Sequence, residues 1–166
     1  QYNYYTNIVA ACLKQKEYNT NTIISFIDLD STIHAKALHG ALRAKEVLKD
    51  HGVDLHIGNQ TVGGFTPENL ALFENNIENL DFLGGLPKSD EDPERHLDIL
   101  FRTAQETGKK VHVHVDQLNT DEEQETEWLA HRTIKYGLQG QVVAVHSISL
   151  ACHSKIYRDY VYELSK

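Results

Sequence analysis

The sequence predicts an α/β fold in which about five β/α units follow one another and the strands run parallel. Three observations predict it. Short runs rich in β-branched residues alternate with longer stretches of helical periodicity. The strand centres recur about every 30 residues, the length of one βαβ unit. The residues able to carry chemistry gather at the carboxyl ends of those strands, where parallel α/β folds place their sites.

Residues 4–16 read as a helix leading into the first strand, TIISFIDLD (22–30). A helix from Ala35 to His51 follows, with Leu38, Leu42, Val47 and Leu48 on one stripe and Gly52 as its stop. VDLHIG (53–58) is the second strand. Pro67 opens a short helix carrying Leu70, Leu72, Phe73 and Ile77, and DFLGGL (81–86) is the third strand. Pro93 sits near the start of the next helix, with Leu97, Leu100, Phe101 and Ala104 inward and Gly108 at its end. KVHVHVD (110–116) is the fourth strand. The helix from Asp121 to Tyr136 has an acidic first turn, as the helix dipole favours, and ends at Gly137. QVVAVH (141–146) is the fifth strand, and Ala151 to Leu164 the last helix.

Composition narrows the function classes. The chain has 166 residues, 40% hydrophobic and 24% charged, enough for a real core. Its net charge of -8 argues against nucleic acid or an anionic membrane as the main partner. No apolar run approaches the roughly 20 residues of a membrane span, and the start shows no basic-then-apolar secretory pattern. The two cysteines, Cys12 and Cys152, form no CxxC pair, which points to a reduced, cytoplasmic setting. The absence of any methionine suggests a piece of a longer product.

Two architectures fit five such units. One is a complete flavodoxin-like sheet of order 2-1-3-4-5, a binding or signalling module with Asp28 and Asp30 as an acidic pocket. The other is a partial TIM-type (β/α) barrel, since a whole (β/α)8 barrel needs roughly 250 residues. The strand ends favour the barrel. They carry Asp28 and Asp30, then Asn59 and Gln60, then Pro87, Lys88 and Asp90, then His112, His114, Asp116 and Gln117, and last His146 and Ser147. Histidine ending two successive strands suits a metal such as zinc, iron or nickel, because neutral imidazole is a common ligand near neutral pH. In VHVHVDQ, His112 and His114 share one side of the strand, and His112 also reads as a core histidine bonded to a backbone carbonyl. The remaining histidines sit on helices or connections, where solvated or capping roles are expected; His153 and Ser154 follow the last strand closely enough to approach a ligand.

The stretch KKVHVHVDQLNTDEEQETEWLAHRTIKYGLQGQVVAVHSISLACHS resembles the fifth and sixth β/α units of cytosine deaminases and their amidohydrolase relatives. There, a strand ending in a metal-binding histidine leads through an acidic cluster and a helix to a second strand ending in His-Ser or His-Thr. The resemblance extends back through FLGGLPKSDEDPERHLDILFRTA and, more loosely, to IISFIDLD. It implies residues 1–166 as the central part of an amidohydrolase (β/α)8 barrel. It further implies a metal-dependent hydrolase or deaminase acting on C–N bonds of a small-molecule substrate, a cyclic amidine or amide such as a pyrimidine-like ring, with zinc or iron as cofactor.

Carried over by position, His114 matches the metal ligand, His146 the histidine that touches substrate or metal, and Asp116 and Gln117 the acidic residues beside them. Gln117 stands where cytosine deaminases carry a proton-shuttling glutamate; an amide orients a substrate but takes no proton at ordinary pH. Phe26 lies where several relatives carry histidine. The substrate-gripping glutamine of the family aligns with Val62, or with Gln60 if a gap is placed. The family's first-strand HxH pair and last-strand aspartate have no counterpart unless VHVHVD is itself that HxH. At most two ligands then remain, so the chain alone is expected to be inactive. Its outer strands would offer open edges to another chain, including a second copy.

Overall fold

The computed structural model describes residues 3–166. The chain folds as two compact units, Gln1–Leu83 and Gly84–Lys166.

The first unit opens with α1 (Tyr4–Lys16), whose start is capped by the Asn3 side chain accepting from Thr6 N at 3.2 Å. Then come β1 (Thr22–Asp28), α2 (Lys36–Asp50), β2 (Asp54–Gln60) and α3 (Pro67–Glu74). β1 and β2 pair in parallel from Thr22↔Asp54 to Asp28↔Gln60. The buried stripe of α2 is Ala37, Leu38, Ala41, Ala44 and Leu48. Alanine thus carries much of the contact assigned in sequence to Leu42 and Val47, which are only half-buried. Gly40 explains the small residues: a Cβ there would sit 2.6 Å from Tyr4 Cβ, so α1 rests directly on the α2 backbone.

β2 has β1 on one side and residues 81–82 on the other. Asp81 N donates to Ile57 O at 2.8 Å, and Gly58 bridges Phe82 in parallel. Glycine is required at 58, since any Cβ would fall 2.1 Å from the Phe82 ring. Asp81 ties this junction down, accepting from Ile57 N (2.7 Å) and pairing with Lys45 (2.5 Å). The neighbours of β2 therefore follow sequence order, and the 2-1-3 order of the flavodoxin-like alternative is excluded.

The division between units falls within β3 (Leu83–Gly85), which joins a sheet of order β3-β4-β5 with β4 (Val111–Val115) and β5 (Val142–His146). β4 and β5 are parallel, in register from Val111↔Val142 to Val115↔His146. The single run of five paired strands expected from sequence is corrected to two small parallel sheets. Within the first unit β2 is extended by the Gly58–Phe82 bridge, and β3 itself is three residues long.

α4 (Pro93–Thr107) begins at the Asp92 cap and ends at left-handed Gly108. It buries Leu97, Leu100, Phe101 and Ala104 as expected, and His96 as well. His96, assigned in sequence to a solvated or capping role, is wholly buried: its Nδ1 donates to Asp90 Oδ2 at 2.9 Å, while its Nε2 accepts from Leu86 N at 3.3 Å.

Two helix starts lie later than the sequence suggests. α5 (Glu125–Tyr136) starts four residues late, because residues 121–124 are held by Glu123 and the first helical N–H groups go to Asp116. α6 (Lys155–Leu164) starts at the Ser154 cap, after a 3₁₀ segment Ile148–Cys152. Both cysteines are free thiols. Among the described residues no helix is long and apolar enough to cross a membrane.

Candidate active site at the ends of β4 and β5

Alternation along β4 separates two faces. Val111, Val113 and Val115 are fully buried, while His112 and His114 lie half-buried on the other side. The register then does the rest: His114 lies beside Val145, and His146, at the tip of β5, beside Val115. The two imidazoles meet, with His114 Nδ1 and His146 Nε2 3.0 Å apart and ring centroids at 5.1 Å. At that distance one nitrogen carries the proton and the other accepts it, so the pair fixes complementary tautomers. Burial first, and then the neighbouring His146, holds His114 below the ordinary imidazole value, which keeps it neutral near pH 7. Burial, with Lys110 nearby, does the same to His112.

The backbone around the pair is unusual. Asp116, His146 and Ser147 all have positive φ (50°, 80° and 52°), a left-handed conformation that non-glycine residues adopt at a cost. Cross-strand bonds hold it: Ser147 N donates to Val115 O (3.1 Å) and Ile148 N to Asp116 O (2.8 Å).

Asp116 is completely buried and serves the start of α5. Its Oδ1 accepts from Glu125 N (2.8 Å), and its Oδ2 from Thr126 N (3.1 Å) and Thr126 Oγ1 (2.5 Å). Glu125 returns the contact, accepting from Asp116 N at 2.8 Å. With both oxygens engaged, Asp116 shapes the strand mouth rather than facing it. Gln117, next in the chain, is half-buried. Gln60 belongs to the first unit, where its carbonyl accepts from Leu29 N at 2.9 Å and its side chain is half-buried at the end of β2.

A third group is not apparent from the sequence alone. Glu123 is buried and pairs with Lys88, while its other oxygen accepts from Leu118 N (2.7 Å) and Ser149 Oγ (2.8 Å). Its backbone carbonyl takes a bond from His153 Nε2 at 2.8 Å. Burial pushes the Glu123 carboxyl up, but Lys88 and these donors outweigh it and hold it below the usual carboxylate range. The signal in sequence is Lys88 at the end of the third strand; its partner, 35 residues away, is hidden in the acidic run TDEEQE.

The donor set for a metal ion is short. Among the described residues no three His, Cys, Asp or Glu side chains gather to hold one, whereas a catalytic site normally draws three from the protein. His114 and His146 supply two nitrogens and do not make a complete centre by themselves.

No protein-family model matches the chain. An uncharacterized protein of Haemophilus influenzae is 42% identical over 144 residues, covering 84% of this chain and 52% of that protein. The N-isopropylammelide isopropyl amidohydrolase of Pseudomonas sp. strain ADP is 29% identical over 126 residues, 73% of this chain and 31% of that enzyme. The crystal structure of N-isopropylammelide isopropylaminohydrolase from Burkholderia multivorans matches with a TM-score of 0.76 and 26% identity, covering 88% of this chain and 40% of the other. In fold, 5-methylcytosine deaminase of Klebsiella pneumoniae liganded with 5-fluorocytosine matches with a TM-score of 0.81 at 22% identity, over 96% of this chain and 39% of that one. The chain spans about half, or less, of the length of these relatives. In sequence the chain is thus similar to N-isopropylammelide amidohydrolases, and in fold to these enzymes and to 5-methylcytosine deaminase.

Proposed function

We propose that the chain carries part of the active site of a metal-dependent hydrolase of C–N bonds, acting on an amino-substituted ring such as a pyrimidine or triazine, within a (β/α)8 barrel of which residues 1–166 form the central part. The single observation that carries this reading is the meeting of His114 and His146 at the mouths of adjacent parallel strands. Similarity to hydrolases whose names specify ring amines supports the substrate class.

In this reading His114 is the residue offered to a zinc or iron ion, and a bound metal supplies a water acidified to near neutrality. Because this chain contributes two nitrogens, the chemistry assigned to its own residues stops short of the metal. His146 donates a hydrogen bond to the oxygen that develops on the attacked carbon. Gln117, with a donor and an acceptor on one amide, matches a ring N–C=O edge and orients it. Gln60 is the second amide assigned to substrate. Asp116 acts as a positioning residue. With an amide at 117, the proton for the leaving nitrogen comes from another group, and His146 is assigned that role as well.

The test is ammonia or amine release by the full-length gene product, loaded with zinc or iron, from cytosine, 5-methylcytosine and N-alkylated ammelide. Turnover of at least one is expected. Turnover of none, with the metal shown to be bound, would overturn the assignment.

A further inference from the structure

We infer that Thr126 is a positioning residue for His146 and acts on it through Ser147. Thr126 Oγ1 lies 2.5 Å from Asp116 Oδ2 and 3.0 Å from Ser147 Oγ. A hydroxyl has one proton. The Asp116 carboxylate, already taking two backbone N–H groups, only accepts, so the Thr126 proton points to it. Ser147 must then donate to Thr126. The relay runs one way, from Ser147 to Thr126 to Asp116, and each hydroxyl is fixed in direction by the next.

Its position gives it a purpose. Ser147 and His146 are consecutive non-glycine residues in the left-handed region, which crowds the Cβ of an L-residue against the following carbonyl oxygen. Backbone bonds cross from the end of β4 to this turn at Ser147 N, Ile148 N and, more weakly at 3.4 Å, Ser149 N. The Ser147 hydroxyl is the side-chain anchor, and it ends on the same residue, Asp116, that takes the Ile148 N–H. The turn that aims the His146 ring at His114 is thereby tied to α5 as well as to β4. The positioning role has catalytic meaning only if this strand mouth is the active site proposed above, but the geometry can be tested without turnover.

The experiment is a long-range 15N imidazole spectrum of the full chain at fixed neutral pH, for wild type, Thr126→Val, Thr126→Ser and Ser147→Ala. In wild type, His114 and His146 should show separate Nδ1 and Nε2 signals of fixed, hydrogen-bonded tautomers. Thr126→Val keeps the shape of the side chain and removes the relay; both rings should drift to the averaged signals of exchanging tautomers. Thr126→Ser should restore the wild-type pattern, which a mere packing role would not predict. Ser147→Ala should average the same two rings while leaving the Asp116–Thr126 contact in place and the thermal midpoint close to wild type. If Thr126→Val fails to fold, Ser147→Ala decides alone. A folded Thr126→Val or Ser147→Ala protein with the wild-type imidazole pattern, or a Thr126→Ser protein without it, overturns the inference. Absence of ring hydrolysis would count against the proposed function and leave this result untouched.

Discussion

The ends of β1 and β2 and the ends of β4 and β5 are built from the same kind of β/α unit, yet they treat their polar groups in opposite ways. After β1, Asp30 Oδ1 accepts from Thr32 N (2.8 Å) and Ile33 N (3.2 Å) and closes its own turn. Asn69, nearly buried on α3, accepts from Ser31 N and donates to Gly64 O, both at 2.8 Å. These polar groups seal loops. After β4 and β5, the buried Asp116 and Glu123 hold the backbone from behind, three residues at the strand ends stand in left-handed conformations, and two imidazoles are left facing each other at the rim. At the first mouth polar side chains close loops, and at the second they support a left-handed turn that carries half-exposed histidines.

The largest expected effect falls on the support beneath the histidines. Asp116→Ala leaves Glu125 N, Thr126 N and the Thr126 hydroxyl without their buried acceptor, at a cost on the order of 3 kcal/mol. Urea denaturation followed by Trp128, the single tryptophan, reads it directly because Trp128 sits on α5. A change below about 1 kcal/mol would mean that the cap is replaceable. Next comes Asn69→Ala, which strands a donor and an acceptor in the sealed loops of the first unit and should cost about 2 kcal/mol. The His114 and His146 ring signals should not move in that variant. If they do, the two mouths are coupled and the contrast drawn between them fails.

A smaller effect is expected from acid. His96 is held below the ordinary imidazole value by burial, which outweighs the opposing pull of Asp90, and His112 and His114 are also lowered by burial. A histidine lowered in the folded state stays neutral there while the unfolded chain takes up the proton. Stability is therefore full above the unfolded value of about 6.5 and falls as pH drops below it toward the folded values. The thermal midpoint should be lower at pH 5.5 than at pH 7.5. His96→Asn, which keeps a donor toward Asp90 and cannot be protonated, should flatten part of that slope; an unchanged slope would show that His96 titrates freely in the folded protein.

Much of this is legible in the sequence because it is written in periodicity. The valine-histidine alternation of VHVHV sets the two faces of β4, and glycines 108 and 137 stop their helices as left-handed caps. What cannot be read depends on partners distant in sequence. His96 looks like any helical histidine until Asp90 and Leu86 N close around it. The position of Asp116 at a strand end gives no hint that α5 begins on its carboxylate. The start of α5 is misplaced for the same reason: an acidic run favours a helix N-terminus, but a buried acceptor decides where the first free N–H groups go. The pairing of β2 with the approach to β3 is equally hidden, since it rests on Phe82 lying against a glycine 24 residues earlier.

If chemistry belongs to the mouth of β4 and β5 and not to that of β1 and β2, variants at the two mouths must differ in turnover. The measurement that tests it most directly compares kcat/KM for ring C–N hydrolysis by the metal-loaded, full-length gene product in three variants. His114→Ala and His146→Ala should each lose on the order of 100-fold or more, the scale of removing a group that acts on the reacting atoms. Asp28→Asn, at the end of β1, should stay within about threefold of wild type, the range of a surface change away from the site. The opposite pattern, a large loss in Asp28→Asn with both histidine variants near wild type, would contradict the account.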